Sequence, residues 1–199
     1  MDVLLSTTYF GPVEWYAALY RADRVELEQC ENFQKQTYRN RCIIATTHGP
    51  LSLTIPVVHG SESMKNLRIS DHGNWRHLHW NALATAYGES PFFEYYQDDI
   101  RPFFEKRWDY LFDFNEAIRE TMCQLLDIQP HVDYTTGYRQ NAGGWLDLRT
   151  AINPKHPAPN PLFSPTPYYQ VYRQKLGFLP NLSILDLLFN MGPEAIFLL

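Results

Sequence analysis

By residue 29 the hydrophobic period of the chain has changed twice, and these changes restrict its fold more than any other feature. Val3 to Thr8 is an apolar, β-branched run of the kind that makes a strand. Gly11-Pro12 interrupts it, and Pro12 suits the first position of a helix, where a missing N–H costs nothing. Trp15, Leu19 and Ala22, spaced by four and three, then share one helical face. Arg24 to Gln29 alternates apolar and charged residues, which predicts a second strand. Strand, helix, strand at this length is a βαβ crossover: two parallel strands in one sheet, one face covered by the helix.

A hairpin follows. Arg39 to Thr46 leads into Thr47-His48-Gly49-Pro50, and Leu51 to Val58 returns with Leu51, Leu53, Ile55 and Val57 on one face. Pro56 cannot donate to a ladder, so it belongs at an edge. Asn66 to Ser70 reads as one more strand. Helical spacing then takes over through Trp75, Leu78, Ala82, Leu83, Ala86 and Tyr87, ending at Ser90-Pro91. Phe92 to Phe112 continues in threes and fours, with Pro102 interrupting or restarting the helix. Asn115 to Leu126 is a further helix, closed by Asp127 and Pro130. Asn153 to Pro167, rich in Pro and Asn, has no period and reads as a long loop. Ser183, with Asp186 three residues on, has the form of a helix cap, Gly192-Pro193 stops that helix, and apolar Ala195 to Leu199 is expected to dock on the core. The fold class expected is α/β: one domain over residues 1–199, a mixed sheet opening βαβ plus a β-hairpin, flanked by aromatic-rich helices. An α+β arrangement is the alternative.

Composition removes several functions. A formal charge of −5 lacks the basic footprint of generic nucleic-acid binding, which is therefore disfavoured. No apolar run approaches the ~18–20 residues of a spanning helix, so no membrane insertion is expected. The start has no positive n-region of a signal peptide, and Cys30, Cys42 and Cys123 form no CxxC pair. A reducing, cytoplasmic location follows as the expectation.

Three clusters carry polar chemistry. In Glu31 to Cys42, an extended backbone would project Lys35, Thr37, Arg39 and Arg41 from one face, where Arg can grip a phosphate or carboxylate bidentately. Gln34, Gln36, Tyr38 and Asn40 would form the opposite face. The competing reading pairs those cations with Glu26, Glu28 and Glu31. In Asp71 to Trp80, His77 and His79 converge on a metal only if extended; on the expected helix they diverge, so no metal is assigned. One of them is a candidate acid/base or substrate contact, and helix-start hydrogen bonding is the plainer role. In Asp133 to Arg149, Gly143-Gly144 permits close approach of a ligand, and Arg149 is either a ligand contact or the partner of Asp147. Paired aromatics such as Phe92-Phe93 and Phe103-Phe104 fall at helical spacing and read as core. Neither GxSxG nor GxGxxG occurs, and the sequence assigns no cofactor and no oligomeric state.

The blocks Tyr9-Phe-Gly-Pro-Val-Glu-Trp-Tyr16, Glu31 to Cys42 and Gly49-Pro-Leu-Ser-Leu-Thr-Ile-Pro-Val57 resemble the WbqC-like protein family of bacteria. The resemblance continues through His79-Trp80, Tyr87-Gly-Glu-Ser-Pro-Phe-Phe93 and Asn181 to Asn190, so it spans nearly the whole chain. Many relatives open with His-Gln-Pro where this chain has Ser6-Thr-Thr, and a role for that histidine does not carry over. What the resemblance implies is a setting in surface-polysaccharide (O-antigen) assembly, with glycine or aminoacyl transfer suggested for some members. On that footing the expectation is an enzyme moving a small acyl or glycyl group to an amino sugar. Lys35 and His79 would be catalytic, His79 as general base, with Lys35 also helping Arg39 and Arg41 to hold an anionic donor. Gln34, Tyr38, Asn40 and Arg149 complete the expected ligand contacts with Arg39 and Arg41. The alternative is a non-catalytic binder of a small anionic or sugar-linked glycan precursor, or of a protein partner.

Overall fold

The structure is a computed structural model that describes residues 1–59 and 63–199. The opening is the expected βαβ unit: β1 (Asp2–Ser6), α1 (Val13–Arg21) and β2 (Arg24–Glu28). The strands pair in parallel with Val3 opposite Val25 and Leu5 opposite Leu27. Helix α1 is buried from Val13 to Leu19: it packs against the C-terminal helix, and Trp15 Nε1 donates to the Ser6 carbonyl at the end of β1 at 2.9 Å. Two short strands complete the sheet, β5 (Val132–Tyr134) beside β2 and β6 (Leu146–Asp147) beside β1. The order is β5-β2-β1-β6, all parallel. The direction of winding therefore reverses between β1 and β6.

The hairpin is β3 (Arg41–Thr46) and β4 (Gly49–Thr54), an antiparallel pair in a sheet of its own. The α/β class holds, with parallel and antiparallel pairing in separate sheets rather than one. Strand β4 ends at Thr54, so Pro56 lies beyond the ladder rather than on its edge, and Leu51 is exposed. Residues 66–70 are not a strand: a 3₁₀ turn over Met64–Asn66 leads into single bridges that join Arg68 to Tyr110 and Ile69 to Val57.

The helices fall close to where the periodicity put them, except that residues 106–110 are not helical and the helix expected from Asn115 begins at Leu111. They are α2 (Trp75–Tyr87), α3 (Phe93–Ile100), α4 (Pro102–Glu105) and α5 (Leu111–Leu125). Pro102 restarts the helix at its first position, where no N–H is needed. The aromatic excess is core: Tyr9, Trp75, Phe103 and Trp108 all pack around the ring of Phe114, with centroids 5.7 to 6.0 Å apart. Residues 153–167 contain no helix or strand. A short helix α6 (Arg173–Leu176) precedes α7 (Ile184–Met191). Ser183 caps α7, its Oγ accepting from the Leu185 N–H. Ala195 and Leu199 are buried, so the chain end docks on the core. Among the described residues no helix is long and apolar enough to cross a membrane.

Candidate functional site

In an open parallel sheet the crevice for a ligand lies beyond the carboxyl ends of the strands where winding reverses. Here that point is the gap between β1 and β6. Strand β1 ends at Ser6 and the chain runs on through Thr7 and Thr8; β6 runs on through Leu148 to Arg149, with the Leu148 N–H still bonded to the Leu4 carbonyl at 3.0 Å. The loop after β2 folds over the gap, anchored by the Tyr9 N–H on the Tyr38 carbonyl at 2.9 Å. A cleft of about 10 Å³ results, lined by Ser6, Thr7, Thr8, Tyr38, Arg39 and Arg149 with Trp15, Leu148 and Ile152 behind them. That is room for about one water, far below the ~300–1,000 Å³ of a drug-sized pocket, so it takes one polar group rather than a whole sugar or nucleotide.

Two buried guanidiniums stand at its walls, each already neutralised. Arg39 donates through Nε and Nη2 to both oxygens of Glu31 at 2.8 Å, and Nη2 also reaches Ser6 Oγ at 2.8 Å. Its Nη1 makes no hydrogen bond among the described residues. Arg149 grips Asp147 at 3.0 and 2.7 Å and reaches Glu28 at 3.2 Å. Burial works against the Asp147 charge, but the hydrogen bonds from Arg149 hold its carboxyl below the ordinary range. Glu28, fully buried, also accepts from the Thr135 hydroxyl and the Cys30 and Arg139 N–H groups. Three carboxylates thus answer two cations, and the cleft offers hydrogen bonds rather than a net positive field. Burial, with Glu14 nearby, pushes the Tyr38 phenol up to about 12, so it stays protonated at neutral pH.

The hydroxyls are the unusual feature. Thr7 Oγ1 and Thr8 Oγ1 are buried without a hydrogen-bond partner among the described residues. Buried polar atoms are rarely left so, because the lost solvation goes unrepaid. Gly11 has no room for a side chain: a Cβ there would lie 2.3 Å from Thr8 Oγ1, so its glycine keeps that hydroxyl in place.

Of the residues expected from sequence, Tyr38, Arg39 and Arg149 meet in this cleft. The others do not line it. Residues 33–40 are turns rather than a strand, with Gln36 left-handed at φ 60°, so the single basic face does not form. Gln34 and Lys35 are exposed there, while Arg39 turns inward to Glu31, which is the pairing reading of that segment. Asn40 donates to the Ile55 carbonyl at 2.8 Å and so fastens the hairpin base. Arg41 opens β3 and reaches Thr54 Oγ1 at 3.2 Å. His79 sits on α2, buried, with Nδ1 2.9 Å from the Tyr9 hydroxyl. Burial pulls its pKa down to about 4, against a smaller opposing pull from the Thr54 carbonyl. Burial also raises the Tyr9 phenol, which keeps its proton and donates to His79. His77 is exposed and bonds Asn81 at 3.0 Å. Among the described residues no three His, Cys, Asp or Glu side chains are grouped to hold a metal ion. Burial pushes the thiols of Cys42 and Cys123 up, so neither is a ready nucleophile.

Ser6, Thr7 and Thr8 were hidden inside the run read as a strand. Their signal is position: three hydroxyl residues in succession where a parallel strand gives way to its βα turn.

The signature of the WbqC-like protein family matches residues 7–156. An uncharacterized protein of Mycobacterium tuberculosis (strain H37Rv), Rv1507c, is 26% identical over 189 residues, covering 82% of this chain and 81% of that protein. No solved structure matches.

Proposed function

The chain belongs to the WbqC-like protein family, and from that premise we propose that its strand-end cleft takes one hydroxyl or amide group of the amino-sugar part of a surface-glycan precursor, the rest of the sugar lying at its mouth. The observation that carries this reading is the pair of unpartnered hydroxyls on Thr7 and Thr8 beside the free Nη1 edge of Arg39. Hydroxyls and an amide of a sugar satisfy such groups in both directions, as donor and acceptor. With its charges already paired, the cleft favours this neutral chemistry over a bare anion.

Transfer of a small acyl or glycyl group to the bound amino sugar is the second reading. The sugar amine would attack the carbonyl of a thioester or ester donor, the N–C bond forming as the bond to the donor's thiol or alcohol breaks, with the amine proton passing to a base and on to that leaving group. The position at the carboxyl edge of a parallel sheet favours it, since substrates of α/β enzymes are held there. His79 is buried outside the cleft, so a role for it as base would act from behind the wall, through the Tyr9 hydroxyl that occupies its Nδ1. Lys35 would assist from its exposed turn.

Calorimetric titration with N-acetylglucosamine and glucosamine tests the binding. The Thr7→Val/Thr8→Val variant keeps shape and removes the hydroxyls, and is expected to bind about tenfold more weakly, the loss of one or two hydrogen bonds. Equal binding by both proteins, or none by the natural chain, would overturn the reading. For transfer, a radiolabelled glycyl or acetyl donor should mark the amino sugar, and His79→Gln should stop it.

A further inference from the structure

A larger opening lies apart from the cleft, at the start of α2. It measures about 340 Å³, at the lower end of the ~300–1,000 Å³ typical of ligand pockets, and shares no lining residue with the strand-end site. Arg76, Arg101 and Arg107 border it together with Asp71 and Glu105. Asp71 takes Arg76 at 2.7 Å and Arg107 at 3.3 Å, and Glu105 takes Arg101 at 2.7 Å. Three guanidiniums against two carboxylates leave one positive charge uncompensated, the reverse of the cleft. Arg76 is the distinctive member. Its side chain is 14% exposed, its guanidinium carbon lies over Trp75, 4.7 Å from the ring centroid, and Nε and Nη2 are buried with no partner among the described residues. A desolvated guanidinium edge without acceptors is costly unless an anion meets it, and guanidinium suits a two-point grip on phosphate. The remaining wall is aromatic: Trp80 and Phe104 line the same groove, their rings 5.9 Å apart.

We propose that this groove is a second binding site, which takes a phosphorylated ligand whose ring lies against Trp80 and Phe104 while its phosphate meets Arg76, Arg101 and Arg107. Sugar phosphates and nucleoside diphosphates share that chemistry. Nothing in the proposal depends on the amino-sugar cleft.

The test uses the full chain at low salt with three probes: glucose 1-phosphate, uridine diphosphate and inorganic phosphate. Arg101 and Arg107 have half or more of their side chains exposed, so Arg101→Ala/Arg107→Ala leaves the core intact. Saturable binding of one or both ring-bearing probes is expected, tighter than inorganic phosphate. The double variant should weaken it by about tenfold or more, the loss expected for charge-assisted hydrogen bonds. Arg24→Ala, an exposed arginine elsewhere, and Thr7→Val/Thr8→Val should leave it unchanged. Which ring-bearing probe binds tighter decides between sugar phosphate and nucleotide. The proposal is overturned if inorganic phosphate binds as tightly as both, if no probe saturates at millimolar concentration, or if the Thr7/Thr8 variant rather than the arginine variant loses binding.

Discussion

His79 carries a consequence for stability whatever its chemistry. Its ring lies between Tyr9 and Trp75, at 5.8 and 5.2 Å, and burial holds its pKa at about 4 against an ordinary value of 6.5. As pH falls, the unfolded chain therefore takes up this proton before the folded one does. The stability that the neutral imidazole contributes is complete above pH 6.5 and is lost as pH falls through 4. A shift of this size corresponds to about 3 kcal/mol across that window. Urea unfolding from pH 7 to 4 should show this decline in the natural protein. In His79→Gln the decline should be shallower by about that amount; curves that stay parallel would mean the ring is not buried as described. The sequence placed His79 on a helix, and that much is right. Its depth depends on Tyr9, 70 residues away, which no local pattern reports.

At the scale of elements, Asp186 shows how a local motif can be read correctly in place and wrongly in partner. Ser183 and Asp186 have the spacing of a reciprocal cap, and Ser183 does cap α7. The Ser183 N–H, however, goes to the Ile43 carbonyl, and Asp186 turns into the core. There it accepts from Tyr87 at 2.8 Å, Tyr168 at 2.6 Å and Gln170 at 2.9 Å, tying α7 to α2 and to the segment before α6. Burial raises its carboxyl pKa, with these three donors pulling the other way. Asp186→Leu would strand all three donors in a dry interior and should cost about 3 kcal/mol or more. Asp186→Asn keeps one acceptor and should cost less; equal losses in the two variants would show that packing, not hydrogen bonding, fixes this junction. Residues 31–41 teach a related lesson. Their alternation of amides and cations imitates a strand, but the conformation is set by Glu31 reaching Arg39 eight residues on and by the left-handed Gln36. An ion pair across a turn leaves no periodic trace.

For the whole molecule, what was legible follows how far apart in sequence the paired segments lie. The βαβ opening and the hairpin are local and came through; β5 and β6, of three and two residues, pair with β2 and β1 across more than a hundred positions and did not. The candidate cleft depends on one of these distant strands. Strand β6 is half-buried and sits at the sheet edge, held to β1 over only Val3–Leu146 and Leu4–Asp147 and by the Leu148 N–H. Strand β1, by contrast, is flanked on both sides and buried from Val3 to Ser6. Few contacts and an edge position mean that β6 opens locally, at a free energy below global unfolding. Hydrogen exchange should therefore find residues 146–149 exchanging faster than β1 and β2 in the free protein. A ligand that bridges Thr7, Thr8 and Arg39 to Arg149 spans both strands and stabilises only the closed form. Saturating amino sugar should slow exchange in 146–149 while leaving α5 unchanged. Exchange in β6 already as slow as in β1 would show that this edge is not the adjustable wall of the cleft, and protection confined to the start of α2 would move the amino sugar to the arginine groove.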